Sequence, residues 1–397
     1  MKKLILKLIA WSDCLISILL AHLLSKGKDG ILLLPAADLN GGFGEDIMVG
    51  SFLKAFNKHK LDLIVSNAYD KDYLKDNKQY PILLDKLYLT KLVLLMRKYS
   101  ELHVIGADIM DGFHKGAVTI RFKSLDLAYR MGLKINLTGL SVRKSFPPKT
   151  KKMFLKYSTY GFVKARDIDS YDRLQKFIPT DKLMLVSDLA FLCPDNNQTP
   201  SSFEKTKSWI EFKKNAGKTI VAFCPNSIQM QKLGKDVYFR MIKHMIKILV
   251  TNDCSVVLLY HDLRRYALDT SDKDISKELY AELNNNDLLY VDDIPDGITL
   301  KKYLSLVDFT FTGRMHFGIS GYVCGKPMFG ISYLNKFEGL QKMFGLKSKE
   351  TLLDYSNIVN ETETIKHFIQ NNTTISLTAN KNLAQLKKLA EGNFKYQ

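Results

Sequence analysis

Short runs of consecutive apolar residues, each followed by a helix-length segment, recur along this chain and limit what it can fold into. Ile31–Leu34 reads Ile-Leu-Leu-Leu, Leu61–Val65 is nearly as apolar, and similar runs lie at 102–105, 134–138, 162–165 and 183–186. Helices are expected between them at 45–59, 83–99, 120–131 and 149–157. A strand with one wet face alternates apolar and polar residues. A strand that is apolar throughout must be covered on both faces, as in a parallel sheet flanked by helices. The expectation is a doubly wound α/β domain. A stretch rich in Pro, Asn and Ser at 193–202 then breaks the pattern, which restarts with strands at Thr219–Cys224, 255–260, 288–291, 307–312 and Met328–Ser332. Helices at 237–250, 273–283 and 316–324 separate these runs. At about 100–200 residues per domain, 397 residues suit two domains. Two Rossmann-like lobes with a central cleft are therefore expected. The N-terminal lobe would cover 1–200, beginning with an apolar helix at 1–27. The C-terminal lobe would cover 201–397, with the helical tail at 362–389 free to cross back.

The N-terminal apolar stretch, residues 4–24, is interrupted by Lys7, Asp13 and His22. An Asp near the centre of a membrane helix costs roughly 2.5–3.5 kcal/mol, and no small-residue cleavage site follows. The stretch is read as a helix packed on its domain or as a monotopic membrane contact, rather than as a span or a signal peptide. With 58 Lys and Arg against 41 Asp and Glu, the formal net charge is +17, which implies an anionic neighbour. Arg143, Lys144, Lys149, Lys151, Lys152 and Lys156 form a basic cluster, read either as a solvated helix face or as an attraction to anionic headgroups. Nucleic acid is not expected, since no aromatic RNA-binding motif, helix-turn-helix or zinc finger is present. The five cysteines form no metal-ligand or disulfide pattern, so no metal is expected and a reducing cytoplasm is the simplest home.

Candidate chemistry lies in loops at the ends of strands. Asn40-Gly41-Gly42-Phe43-Gly44-Glu45-Asp46 opens a helix, but its two carboxylates would repel a phosphate there. Gly42, Gly44 and Asp46 are therefore read as a binder of neutral sugar hydroxyls, or alternatively as a capped helix start with glycines for tight turning. In Gly106-Ala107-Asp108-Ile109-Met110-Asp111-Gly112, Asp108 or Asp111 could take a proton from an attacking hydroxyl, or could simply cap the next helix. Arg166-Asp167 suits bidentate anion binding, or an Arg–Asp pair fixing a helix start. Thr312-Gly313-Arg314-Met315-His316 sets a guanidinium and an imidazole at a helix start, a concentrated anion site unless His316 faces the core. His261, after another strand, is placed either to touch the ligand or to serve structure.

This ordered set resembles the polysaccharide pyruvyl transferase family. The residues that carry the resemblance are 41–46, Gly106-Ala107-Asp108, Arg166-Asp167 with Ser170, Asp188 with Phe191, His261 and Arg314-Met315-His316. Gly325-Lys326-Pro327 and Tyr333 with Lys336 complete it, so that it spans 31–345. One departure is that Glu45 and then Asp46 follow Gly44, where the family usually has Gly-Asp. The resemblance implies a GT-B-type pair of lobes that moves pyruvyl from phosphoenolpyruvate onto a saccharide as a ketal, with no cofactor. It implies donor binding by Arg314, Arg166, His261 and Lys336, and acid/base work by His316 with Asp108. The acceptor side would be Gly42, Gly44, Asp46 and Asp111, taking a saccharide, free or lipid-linked, for exported polysaccharide. Two alternatives use the same architecture: a glycosyltransferase taking a nucleotide sugar, and a non-catalytic membrane-associated scaffold of polysaccharide assembly.

Overall fold

A computed structural model describes residues 2–83, 85–112, 115–145, 147–195, 198–265, 269–332, 337–354 and 361–396. The chain divides into two compact units, the first made of Met1–Leu39, Met48–Leu189 and Lys388–Gln397, the second of Asn40–Ile47 and Ala190–Lys387. Segment 40–47 thus belongs with the second unit, not with the N-terminal lobe expected for residues 1–200. The reason is local pairing: Leu263 donates its N–H to the Gly41 carbonyl at 2.9 Å, Phe43 donates to the His261 carbonyl at 3.2 Å, and Gly42 bridges Asp262.

In the first unit, strands β1 Ile31–Leu34, β2 Leu61–Val65, β3 Gln79–Pro81, β4 Glu101–Val104 and β5 Lys134–Leu137 form one parallel sheet in the order β3-β2-β1-β4-β5. β1 is buried along its whole length, as its four apolar residues require. β3 ends in a proline and has no such run, so nothing in its sequence announced it. An edge position tolerates that proline because one side of the strand needs no N–H donor. The runs at 162–165 and 183–186 do not extend this sheet. They form β6 Val163–Ala165 and β7 Leu183–Leu185, a separate parallel pair. Isolated bridges from Leu140 to Ala107 and to Ala165 join the pair to the loop after β4.

The N-terminal helix Lys2–Leu23 packs on helices Tyr88–Met96 and Lys115–Arg130. Asp13, Ser17 and Ala21, four residues apart, are its buried face. Asp13 accepts the backbone N–H of Leu89 at 3.0 Å and of Thr90 at 2.9 Å, so it caps the start of helix Tyr88–Met96 from outside. Helix Lys2–Leu23 is long and apolar enough to cross a bilayer by length and composition alone. The charge that argues against spanning is also its fastening.

The second unit carries a six-stranded parallel sheet: β8 Thr219–Cys224, β9 Cys254–Leu258, β10 Leu288–Tyr290, β11 Phe309–Thr312, β12 Met328–Ser332 and β13 Leu352–Asp354, in the order β10-β9-β8-β11-β12-β13. β8 pairs with β9 on one side and β11 on the other. The chain therefore winds away from β8 in both directions, and the loops leaving β8, β9 and β11 diverge around an open point. Such switch points are where open parallel sheets bind ligands. Helix Glu361–Glu391 follows, and Lys388–Gln397 close the first unit.

Candidate active site

At the switch point of the second unit, three strand-exit loops meet the Gly-rich segment. β11 ends at Thr312, whose hydroxyl accepts the Arg314 N–H at 2.9 Å and thereby sets the first turn of helix Met315–Val323. Gly313 has no room for a side chain, because a Cβ there would lie 2.5 Å from Gln229 Oε1. Asn226, after β8, donates to the Gly313 carbonyl at 2.8 Å. His316 thus sits in the first helical turn, half-buried. Its imidazole lies against the backbone of Gly44, where any Cβ would collide with the ring. The glycine expected to serve a sugar is therefore also what admits the histidine.

His261 follows β9 and is buried, its ring nearly parallel to that of His316, with centroids 6.4 Å apart and an interplanar angle of 17°. Burial holds the His261 imidazole well below its ordinary pKa, and the neighbouring His316 and Arg314 act in the same direction. Its ring is neutral at pH 7, and Nε2 is buried with no hydrogen-bond partner among the described residues. The pair places one fixed, uncharged ring behind a second, more accessible one.

Arg314 is not the open fork expected. Its Nε and Nη2 bond both oxygens of Asp272 at 2.8 and 2.6 Å, Nη2 also reaches Ser227 Oγ at 3.0 Å, and Nη1 lies 3.3 Å from Asp262. Asp262 in turn is gripped by Arg264 through Nε and Nη2, both at 2.9 Å, and Arg264 lies 3.5 Å from Glu45. Two guanidinium groups thus face three carboxylates. The loop cluster therefore holds more carboxylates than guanidinium groups and is not a concentrated cationic site. The N-terminal end of helix Met315–Val323 adds the partial positive charge of a helix start to this cluster.

The other expected residues lie in the first unit. Asp108 is half-buried at the start of the 3₁₀ turn Asp108–Asp111, just after Ala107, which holds a left-handed φ of 48°. Asp111 is buried and paired with Arg143, so it serves the loop rather than standing ready for an acceptor. Arg166 is buried too. It donates to Asp188 at 2.8 Å and to Ser141 Oγ at 2.8 Å, with both ion-pair partners 3% exposed. Its partner is thus Asp188 and not the adjacent Asp167, which instead caps helix Ile168–Leu174 by accepting the Ser170 N–H at 2.7 Å. Lys336 and Tyr333 lie outside the described residues. Among the described residues no group of three or more His, Cys, Asp or Glu could hold a metal ion.

Sequence reasoning missed Asp272, Ser227 and Arg264. Ser271-Asp272-Lys273-Asp274 reads only as a helix start, and Ser271 and Asp274 do form a capping box. Nothing local reveals that Asp272 between them faces Arg314.

A family model described as polysaccharide pyruvyl transferase matches residues 43–335. No curated protein matches the sequence. Among solved structures, the chain is similar to S. aureus MnaA in its UDP co-structure, at TM-score 0.58 and 12% identity over 91% of this chain and 94% of that one. UDP-GlcNAc 2-epimerase from Neisseria meningitidis gives TM-score 0.56 and 13% identity over 91% and 97%. A glycosyltransferase from Rickettsia africae gives 0.54 and 17% over 93% and 94%. At these identities the likeness is one of fold, two Rossmann-like α/β lobes of GT-B type.

Proposed function

The chain belongs to the polysaccharide pyruvyl transferase family, and from that premise we propose that it transfers pyruvyl from phosphoenolpyruvate to a saccharide as a ketal. The observation that carries this reading is the placement of His316, a half-buried imidazole in the first turn of a helix at the sheet's switch point. The donor carries a carboxylate and a phosphate. The helix start offers backbone donors and partial positive charge, while Arg314 and Arg264, held by carboxylates, keep the surrounding loops in place.

In this proposal His316 acts as the general acid that gives a proton to the methylene carbon of phosphoenolpyruvate. C2 becomes electrophilic and a sugar hydroxyl adds to it, losing its proton to a base. Phosphate then departs with the C2–O bonding pair, and a second hydroxyl closes the ketal as its proton is lost. The net products are the pyruvylated sugar and inorganic phosphate. His261, kept neutral by burial, leaves the acid role to His316. Arg314 acts as a positioning residue for the His316 turn. Asp108 is the proposed base for the acceptor hydroxyl.

The deciding experiment incubates the protein with phosphoenolpyruvate and a panel of saccharides, following phosphate release and the mass gain of a pyruvyl ketal. Turnover that instead requires a nucleotide sugar would assign the chain to glycosyl transfer. Absence of turnover with either donor class, in protein that binds neither, would favour the scaffold reading.

A further inference from the structure

Helix Lys2–Leu23 turns one face inward and leaves the other bare. Trp11 is 64% exposed, Leu8 56%, Leu15 48% and Leu19 60%, an apolar stripe at the three- and four-residue spacing of one helix face. Contiguous exposed apolar surface of this kind marks an interaction site. The stripe does not belong to the loop cluster around Arg314 and His316, which lies in the other unit.

What borders the stripe narrows its occupant. At the helix end, Arg130 reaches His22 Nε2 at 3.2 Å. Arg130 also pairs with Asp126 at 3.1 Å, and the other oxygen of Asp126 takes Lys156 of helix Pro148–Ser158 at 2.8 Å. These contacts make one continuous surface from the apolar helix to the basic one, where Lys149, Lys151 and Lys152 are exposed. Beside Arg130, Tyr129 is 51% exposed and stacks on Tyr160 with centroids 4.5 Å apart. An apolar stripe with a tryptophan, an aromatic pair and a lysine-rich flank is the composition of a membrane-interface surface.

We propose that this face of the first unit docks on a bilayer bearing anionic headgroups. The helix lies in the interface plane and the basic helix faces the lipid charge. Asp13 disfavours spanning, because withdrawing the helix would strip its carboxylate from the Leu89 and Thr90 amides. Charge complementarity chooses lipid over a second copy of the chain. A second copy would bring the same net charge of +17 to the contact, whereas anionic headgroups complement the lysine flank.

The test is co-flotation of the full chain with phosphatidylcholine vesicles, with and without phosphatidylglycerol, at low and high salt. Binding is expected only to the anionic vesicles, and to weaken with salt. Trp11→Ser with Leu15→Ser should reduce partitioning by roughly tenfold or more. Lys149→Glu with Lys152→Glu should reduce it by roughly fivefold per lysine removed. All four side chains are exposed, so thermal unfolding of both double variants should match that of the parent. Wild-type protein that stays unbound at low salt overturns the proposal, as does equal partitioning by all three proteins. A dimer in sedimentation analysis that Trp11→Ser with Leu15→Ser dissolves also overturns it, because the stripe would then be an interface between copies.

Discussion

Arg314→Ala separates two uses of one guanidinium. If the fork grips the donor, removing it weakens donor binding and spares the fold. The observed bonds say otherwise. Two reach Asp272, which is fully buried, one reaches Ser227, and a further ion pair reaches Asp262, 1% exposed. Truncating one partner of a buried ion pair leaves the other charge uncompensated and costs about 3–5 kcal/mol. For a unit of this size each kcal/mol is worth about 2–4 °C, so the second unit should melt roughly 6–20 °C lower. Scanning calorimetry, with the two transitions assigned through variants in each unit, measures this. Arg314→Lys should recover only part of the loss, because a single ammonium cannot span both Asp272 oxygens. Adding Asp272→Asn to Arg314→Ala removes the stranded charge, so the double variant should cost less than the sum of its parts. If Arg314→Ala melted with the parent while its affinity for phosphoenolpyruvate collapsed, the internal network would be incidental and the reasoning refuted.

His316→Ala should lose about 10²–10⁴-fold in turnover while still binding phosphoenolpyruvate by calorimetric titration, as expected for loss of a general acid. Gly44→Ala puts a Cβ 2.9 Å from His316 Cγ and 3.2 Å from Cε1, so the ring or the loop must move. A displacement near 1 Å costs about 10²-fold in kcat, and unchanged kinetics would show that the contact does not constrain the ring. Lys164, buried in β6 and bonded to Asn136 Oδ1 at 2.5 Å and the Asn393 carbonyl at 3.0 Å, has its pKa pushed down by burial to about 7. The unfolded chain therefore holds a proton there that the folded chain releases, and stability should rise by a few kcal/mol between pH 7 and roughly 10.5. Below pH 7 the contribution is constant. Lys164→Met should flatten that rise in urea titrations run across the window.

The fold was legible because strands such as Ile31–Leu34 and Thr219–Cys224 announce two-sided burial in their own residues. β3 and β13 were missed because Gln79-Tyr80-Pro81 and Leu352-Leu353-Asp354 carry a proline or a charge inside three residues, whereas the equally short β10 continues into the apolar run Leu288–Val291. The Thr312–His316 turn was legible as strand exit and helix start. Its electrostatics were not, because Arg314 is separated from Asp272 by 42 positions and from Ser227 by 87. Arg166 misled in the same way: its neighbour Asp167 was the visible partner, whereas the actual one, Asp188, comes from the loop after β7. Side-chain pairing between loops leaves no periodicity in the chain, whereas burial does.

Asn393 is fully buried in the first unit, where its side chain accepts the Gly139 N–H at 2.6 Å and donates to the Ser187 carbonyl at 2.9 Å. Its own carbonyl meets Lys164 and Asn136. During synthesis these bonds form late. The ribosome completes residues 48–189 and then makes all of Ala190–Lys387 before the closing segment emerges. At about 5–20 residues per second that interval is on the order of tens of seconds. Through it, the groups around Gly139 and Ser187 wait without their partner and the buried lysine lacks its carbonyl. The first unit begins to form before the second and is finished after it, so a nascent chain stalled before 388 should expose a protease-sensitive first unit beside a completed second one.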